Sequence, residues 1–332
     1  MNKNEEAISS IDRIRINLLE LKPREALDAV HRFYRKSMEK YFDEDGHPNG
    51  AYFEEVTCPI CNGSEFKHRM NIDNFEYREC KTCRSIYNSP RLKGVVLDSM
   101  YKSGEYKTYF EKLTVPGQNL RKNVIDQRKF KQVSSLIGKH GTVLDVGCGT
   151  GSFLKVCREN GWEAYGVDPS ESAVSVARER YDIEIEQNYF ESYETEKKFD
   201  CITFWGQLEH LADPIKGLER AKCLLKSGGV IAFEVPSADS YLMKYLENNT
   251  FSPCRYIENA RHVLFFSRIS IDRICRTHNL KLSYIESNGL DLQTILLYEF
   301  DSEITTKLMA MQQTLDDLML GDHYRVFLKL LK

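Results

Sequence analysis

The stretch VLDVGCGTGSF, residues 143–153, decides the fold of this chain. An apolar strand pattern runs into Gly147, Gly149 and Gly151, where the backbone can turn sharply and approach a ligand that a Cβ atom would obstruct. The loop opens a predicted helix, whose free N–H groups attract a negative group such as a carboxylate. Because Ser152 stands at the third glycine position of G-x-G-x-x-G, the loop departs from the dinucleotide fingerprint.

Around this loop the chain alternates between helix and strand patterns. Helices are predicted over 124–137, 152–160, 171–180 and 214–225, and strands over 142–147, 163–168, 183–187, 199–205 and 228–236. Two further strands are predicted over 279–287 and 292–300, followed by a helical tail over 303–332. Such alternation is typical of a parallel sheet with helices on both faces.

Two acidic residues flank the loop: Asp145 precedes it, and Asp168 ends the next predicted strand, where an acid can hydrogen-bond a ribose diol. With FWGQLEHLADP (204–214) and LLKSGG (224–229), this pattern resembles class I S-adenosylmethionine-dependent methyltransferases over roughly residues 123–300. The resemblance implies that the methionine end of the cofactor lies over the loop. It assigns the other contacts to Asp145 at the ammonium group, Asp168 at the ribose, Gln207 at the sulfonium, and Asn188 and Tyr189 at the adenine.

The ten cysteines include two close pairs in the N-terminal third of the chain. Cys58, Cys61, Cys80 and Cys83 follow C-x2-C-x18-C-x2-C, a spacing typical of a closed structural zinc site with four thiolates. Thiol chemistry or an iron site are the alternatives. The six scattered cysteines argue against a disulfide framework and for a reducing compartment.

A zinc module ahead of this methyltransferase type is similar to the architecture of sugar C-methyltransferases, which act on nucleotide-linked deoxysugars. In that group the module and the following tyrosine-rich segment wall one side of the substrate cleft. Tyr101, Tyr106 and Tyr109 therefore either contact the substrate or pack on the surface. Residues 58–84 carry five basic and four acidic side chains, a poor balance for gripping a phosphate backbone.

The candidate catalytic residues are histidines. The sugar methyltransferases carry H-E-H-x-x-[YF]-F-S, and ARHVLFFS (260–267) matches it at His262 but has Ala260 and Arg261 where the group has His and Glu. Arg261 suits a substrate phosphate or carboxylate. His262 is either a general base or a residue that orders its loop. His210 is either a base or a residue that caps or packs the helix near Pro214, and Glu209 is a weaker candidate.

The predicted domains are a helical segment (1–50), the zinc ribbon (51–98), a tyrosine-rich lid or connector (99–122), the methyltransferase domain (123–300) and the helical tail (301–332). The terminal helices suit packing or contacts between subunits of a homo-oligomer. The net charge is −3, and the N-terminus and apolar runs are far short of the roughly 18 residues of a membrane span, so we expect a cytosolic protein.

The predicted fold class is α/β, a Rossmann-like class I methyltransferase sheet with an N-terminal zinc ribbon and helical termini. The predicted function is O- or C-methylation of a small, nucleotide-linked or phosphorylated sugar in surface-polysaccharide or natural-product synthesis. Two alternatives stay open: an RNA methyltransferase whose ribbon docks RNA, and a cofactor-binding protein without turnover.

Overall fold

In the computed structural model of this chain, residues 6, 8–13, 16–101, 115–249, 256–257, 261–296 and 302–331 are described. A six-stranded sheet forms the centre of the fold. Its strands are β6 Thr142–Val146, β7 Glu163–Val167, β8 Phe199–Trp205, β9 Leu225–Pro236, β11 Leu280–Asn288 and β12 His323–Leu330. They lie in the order β11-β12-β9-β8-β6-β7. Strands β6 to β9 are parallel, and β12 runs antiparallel between β9 and β11.

The helices are α1 Leu18–Leu21, α2 Arg24–Met38, α3 Gly94–Tyr101, α4 Gln118–Leu120, α5 Gln127–Ile137, α6 Ser152–Glu159, α7 Glu171–Tyr181, α8 Pro214–Leu224, α9 Tyr241–Leu246, α10 Arg268–Thr277, α11 Asp291–Ile295 and α12 Ser302–Asp317. A π-helical turn, Arg121–Asp126, joins α4 to α5. No described helix has both the length and the apolar run needed to cross a membrane.

Local sequence explains where the helices next to the sheet begin. Helix α7 starts after Ser170, whose hydroxyl accepts the Ala173 N–H at 3.2 Å, and α8 starts at Pro214 after Asp213, whose carboxylate accepts the Lys216 N–H at 2.9 Å. Both are side-chain caps that satisfy donors left free in a first helical turn. Asp213 therefore fills the capping role that was one interpretation of His210.

The cysteine module forms a smaller antiparallel sheet in the order β10-β4-β3-β2. Its strands are β2 Phe66–Ile72, β3 Phe75–Cys80, β4 Ile86–Asn88 and β10 Leu264–Phe265, and a separate pair joins β1 Phe53–Glu54 to β5 Arg91–Leu92. Strand β10 comes from the segment that follows His262 and pairs with β4, Leu264 opposite Tyr87. The small sheet is thus completed by a strand from the predicted methyltransferase domain.

Several predictions are wrong. The predicted strand 183–187 forms only an isolated parallel bridge between Glu186 and Val167, and the start of the predicted strand 292–300 lies in α11. Residues 323–330, predicted as helix, form β12 inside the sheet, which is therefore mixed rather than parallel. Residues 118–122, at the end of the predicted polar connector, are helical, and Gln118 is buried.

Candidate functional site

A cavity of about 690 Å³ opens along the edge of the sheet where the parallel strands end. The strand order reverses between β6 and β8, and in open α/β sheets ligands bind beside this reversal, outside the carboxyl ends of the strands. The cavity is lined by Gly147, Gly149, Asp168, Asn188, Tyr189, Gln207, Glu209, His210, Arg261 and His262, among other residues. Most of the predicted cofactor and catalytic residues therefore share one cavity.

The glycine loop has the backbone conformation that its sequence requires. Gly147, Gly149 and Gly151 have φ angles of 67°, 53° and 73°, in the left-handed region that favours glycine. A Cβ atom on Gly147 would lie 2.4 Å from the side chain of Gln207. The loop thus leaves room for Gln207 at the position predicted to border the sulfonium.

Asp168 links the end of β7 to the loop. Its Oδ2 accepts the N–H of Gly149 at 2.8 Å, and its Oδ1 accepts the N–H of Ser170 at 2.9 Å. Burial raises the pKa of this carboxyl above its ordinary value, while the two N–H donors oppose that effect. Asp168 lines the cavity at the place where a ribose diol was predicted to bind.

Asp145 has a different position from the one expected of a cofactor contact. It is 3% exposed, its Oδ1 accepts the hydroxyl of Thr203 at 2.6 Å, and it is not among the residues that line the cavity. Burial raises the pKa of Asp145 to about 7, although the Thr203 hydrogen bond lowers it. The predicted contact of Asp145 with the cofactor ammonium stays a prediction.

A buried charged cluster that sequence reasoning missed lines the cavity on α5, β9 and β12. Lys129 Nζ lies 3.4 Å from Glu234 Oε1, and Arg325 Nη2 lies 2.5 Å from Glu234 Oε2. Arg128, which pairs with Glu286 at 2.8 Å, adds a third cation. Burial lowers the pKa of Lys129, while the carboxylates of Glu234 and Asp126 oppose that effect. The sequence feature that could have indicated this cluster is the pair Arg128 and Lys129 on α5, the helix before the strand that leads into the glycine loop.

Both candidate histidines lie beside a buried glutamate. Nε2 of His210 is 3.9 Å, and Nε2 of His262 is 4.0 Å, from Oε1 of Glu209, and the two imidazole rings are 4.8 Å apart between centroids. Nδ1 of His262 lies 2.8 Å from the carbonyl oxygen of Tyr256, and Nδ1 of His210 lies 2.8 Å from that of Arg261. The three side chains are also spaced so that they could hold a metal ion. Glu209 was the weakest of the three candidates in the sequence, although its carboxylate lies 3.9 and 4.0 Å from the two imidazoles.

The predicted substrate residues are placed only in part. Arg261 is 7% exposed and lines the cavity beside His262. Helix α3 ends at Tyr101, whose side chain is not described, and Tyr106 and Tyr109 lie outside the described residues. The predicted role of the tyrosine-rich segment therefore stays a prediction.

The four paired cysteines converge on one point, apart from the cavity. Their sulfur atoms lie within 4.8 Å of one another, with 3.4 Å between those of Cys58 and Cys83 and 3.5 Å between those of Cys61 and Cys80. Four thiolates around Zn²⁺, with Zn–S bonds of about 2.3 Å, stand about 3.8 Å apart. The sulfur positions therefore fit a tetrahedral metal ion.

The turns around the cysteines repeat the same geometry. Asn62 and Arg84, each directly after the second cysteine of a pair, have φ angles of 55° and 64°. Each also continues a turn in which its N–H bonds to the carbonyl of the first cysteine, at 2.8 and 2.9 Å. The hydrogen bond between the Cys58 and Cys83 sulfur atoms lowers the pKa of Cys83 to about 5 and raises the pKa of Cys58.

The sheet order, the glycine loop and the acid at the end of β7 define an α/β protein of the methyltransferase-like class, with a four-cysteine cluster on a small antiparallel sheet. A family profile described as "Methyltransferase domain" matches residues 119–285, half of the 332 residues. The chain belongs to this methyltransferase-domain family.

Two relatives carry the name ubiquinone biosynthesis O-methyltransferase. That of Coxiella burnetii is 32% identical over 117 residues, which cover 33% of this chain and 49% of the relative. That of Hydrogenovibrio crunogenus is 27% identical over 176 residues, which cover 50% of this chain and 71% of the relative. The chain spans about half the length of the first of these curated relatives.

Solved structures of other methyltransferases are similar to this chain. A SAM-dependent methyltransferase from Thermotoga maritima has 18% sequence identity and a TM-score of 0.45, and the match covers 71% of this chain and 98% of that one. One from Archaeoglobus fulgidus has 20% identity and a TM-score of 0.42, and the match covers 63% of this chain and 94% of that one.

Proposed function

We propose that the protein transfers a methyl group from S-adenosylmethionine to a small acceptor bound in the same cavity. The observation that carries the proposal is the position of Asp168, whose carboxylate faces the cavity while it holds the glycine loop through Gly149. When bound, S-adenosylmethionine supplies an electrophilic methyl group on a sulfonium and leaves as a neutral thioether. The chain then has to bind the cofactor, orient the acceptor and remove the acceptor proton.

The residues of the cavity fit this cofactor. The loop glycines give close backbone approach, Asp168 accepts hydroxyl hydrogen bonds, and Gln207 adjoins Gly147. The buried side chains of Arg128, Lys129 and Arg325 offer cations to an anionic group such as a carboxylate, next to the acidic groups of Glu234, Glu286 and Asp126.

The acceptor proton is removed at the histidine pair. His262 lines the cavity, and its Nδ1 donates to the Tyr256 carbonyl, so that the basic nitrogen of the neutral ring is Nε2. His262 thereby acts as general base. In-line transfer also requires that the acceptor atom approach the methyl carbon opposite the sulfur, so the cavity has to hold the acceptor in place before transfer.

We propose a nucleotide-linked or phosphorylated sugar as the acceptor. A volume of about 690 Å³ suits a cofactor and one small molecule, and the carboxylates, amides and imidazoles of the lining suit hydroxyl groups. Arg261 supplies a cation for a phosphate next to the base. O-methylation in ubiquinone biosynthesis, the activity in the names of the matched relatives, is the second candidate.

The cysteine module holds a structural zinc ion in this proposal and does not dock RNA. Each Lys and Arg of residues 58–84 lies within 4 Å of a carboxylate: Lys67, Arg69 and Arg84 contact Glu79, Arg78 contacts Glu55 and Glu76, and Lys81 contacts Glu65. Cations already paired in this way offer little charge to a phosphate backbone.

Calorimetry of cofactor binding tests the proposed function. Asp168→Ala should weaken S-adenosylmethionine binding by about 1.5–3 kcal/mol, because a charge-assisted hydrogen bond to the ribose is lost. Asp272→Ala is the control, since this aspartate pairs with Arg268 on the surface of α10. Unchanged affinity in a folded Asp168→Ala variant would remove Asp168 from the site, and no binding to the parent would refute the function.

A thermal-shift panel tests the acceptor class. Nucleoside diphosphate sugars, sugar phosphates and simple phenols are added with S-adenosylhomocysteine present, and we expect the phosphorylated sugars to raise the melting midpoint. Arg261→Ala should remove most of that rise, because a buried guanidinium bound to phosphate contributes strongly to binding. A rise with phenols alone would favour the second candidate.

A further inference from the structure

The adenine end of the proposed cofactor site lies where the chain after β7 passes Asp168. Glu186 forms the isolated bridge with Val167, and its carbonyl accepts the N–H of Asp168 at 3.1 Å. Residues 188–192 follow shortly after Glu186 and line the cavity together with Asp168. A nucleoside held at its ribose by Asp168, as proposed, therefore places its base against this loop.

The amide of Asn188, the residue predicted to contact adenine, makes hydrogen bonds within its own loop. Its Oδ1 accepts the N–H of Tyr189 at 2.9 Å, and its Nδ2 donates to the carbonyl of Ser192 at 3.3 Å. The exocyclic amino group of adenine is a hydrogen-bond donor, so the site has to supply an acceptor for it. Two described carboxylates of the cavity lining act on Tyr189, those of Asp98 and Glu191.

Helix α3 brings Asp98 to this end of the cavity because its other face is buried. Val96 and Met100, four residues apart, belong to the buried hydrophobic cluster that contains Phe75 of β3 and Phe265 of β10. The residues of α3 that line the cavity share the spacing i, i+3 and i+4 of one helical face. They are Gly94, Leu97 and Asp98. The packing of α3 on the cysteine module thus turns the face with Asp98 toward the cavity.

Asp98 is the more sheltered of the two carboxylates. It is half-buried, whereas Glu191 is exposed. Burial raises the pKa of Tyr189 to about 12, and the nearby carboxylate of Asp98 adds more to this rise than that of Glu191 does. Asp98 therefore lies close to the Tyr189 phenol, in surroundings where water weakens a hydrogen bond less than it does at Glu191.

We propose that Asp98 binds the exocyclic amino group of adenine and so selects the cofactor by its base. This inference rests on the proposed function. The carboxylate accepts an N–H of the amino group, and it repels the carbonyl oxygen that hypoxanthine carries at the same position. The helix that packs on the cysteine module thereby contributes a contact to the cofactor.

Calorimetry with two nucleoside ligands tests the proposal on the whole chain and requires no acceptor. S-adenosylhomocysteine carries the amino group, and S-inosylhomocysteine carries a carbonyl oxygen in its place. The parent should bind S-adenosylhomocysteine about tenfold more tightly or better, because a charge-assisted hydrogen bond forms with that ligand alone. Asp98→Ala should weaken binding of S-adenosylhomocysteine about tenfold without weakening that of S-inosylhomocysteine.

Asp98→Asn is a second variant that keeps the size of the side chain. Its amide can donate to the carbonyl oxygen of hypoxanthine, so S-inosylhomocysteine should bind more tightly than it does to the parent. Glu191→Ala is the matched control, because it removes a carboxylate from the same end of the cavity and should keep the preference of the parent. A thermal midpoint close to that of the parent shows that a variant is folded.

Equal weakening of both ligands in folded Asp98→Ala would overturn the proposal, because Asp98 would then contact a part of the cofactor that the two ligands share. Loss of the preference in Glu191→Ala alone would overturn it as well. A parent that binds neither ligand refutes the proposed function. A parent that prefers S-adenosylhomocysteine, with the same preference in Asp98→Ala, refutes this inference alone.

Discussion

Two aspartates at the ends of neighbouring strands show how environment separates identical side chains. Asp168 accepts two backbone N–H groups and faces the cavity, whereas Asp145 is enclosed and bonds to the single hydroxyl of Thr203. Burial therefore raises the pKa of Asp145 to about 7. The ionised form of Asp145 opposes folding near neutral pH.

Asp145→Asn tests this effect of Asp145 on the free energy of folding. The folded protein holds the Asp145 proton up to about pH 7, while the unfolded chain releases it near pH 4, so folding becomes less favourable as pH rises between these values. The variant lacks the titration and should gain up to about 4 kcal/mol relative to the parent over that window. Urea unfolding from pH 4 to pH 8 measures it, and parallel curves for the two proteins would contradict the burial of a titrating Asp145.

At the scale of elements, the glycine loop places a strand end, a helix start and Gln207 within contact of one another. Helix α6 begins directly after Gly151, and Gly147 lies against the Gln207 side chain. All three loop glycines therefore need glycine for their backbone angle, and Gly147 also needs it because a side chain would collide with Gln207.

Gly147→Ala should weaken S-adenosylmethionine binding by about tenfold or more, because a left-handed alanine costs about 1–2 kcal/mol and its Cβ would displace Gln207. Gly228→Ala is the matched control: its φ of 78° is similar, and no atom lies within 4 Å of the new Cβ. The Gly228→Ala variant should lose stability but keep the cofactor affinity of the parent. Calorimetry and thermal melting on both variants separate the effect of backbone strain from that of displacing Gln207. Equal cofactor affinities of the Gly147→Ala and Gly228→Ala variants would mean that Gln207 does not border the site.

Sequence predicted the elements whose signals are local. Strand β8 has the predicted bounds, 199–205, and the cysteine spacing indicated the cluster, because the turns that join each pair are formed within a few residues. Strand β12 was missed because it lies in the interior of the sheet and buries five consecutive residues, so the alternation that marks a strand is absent.

The candidate site was predictable only as separate pieces. The loop glycines and Asp168 follow from strand ends, but the approach of Glu209 to His262 depends on the packing of β10 against the turn after β8. No spacing in the sequence encodes a contact between two loops. The charged cluster around Glu234 was missed for a related reason, since its partner Arg325 belongs to the strand predicted as helix.

At the scale of the whole molecule, the cysteine cluster and the central sheet share one hydrophobic core. Cys58, Cys80 and Cys83 belong to the same buried cluster as Leu144, Phe233 and Leu264. The hydroxyl of Ser267 donates to the carbonyl of Cys83 at 2.6 Å, and the N–H of Asn88 donates to that of Val263 at 3.1 Å. The segment that carries His262 is therefore held by the cysteine module.

We predict one zinc ion per chain, bound by the four cysteines, with effects that reach beyond residues 58–83. Elemental analysis gives the count, and Cys58→Ser with Cys61→Ser should lose the metal, whereas Cys223→Ser, at an exposed cysteine, should retain it. Hydrogen exchange should then accelerate at Leu264 and Phe265 as well as in β4, because these strands pair. Unchanged exchange at β10 in metal-free protein would confine the role of the metal to the module.

With zinc on the four cysteines and an acceptor beside His262, as proposed, the pairing of β10 with β4 would make the metal and the acceptor thermodynamically linked ligands. If metal occupancy favours the arrangement of the His262 segment that receives the acceptor, then the acceptor must favour metal retention by the same factor. A chain saturated with acceptor should thus keep its zinc at a higher chelator concentration at equilibrium than a free one.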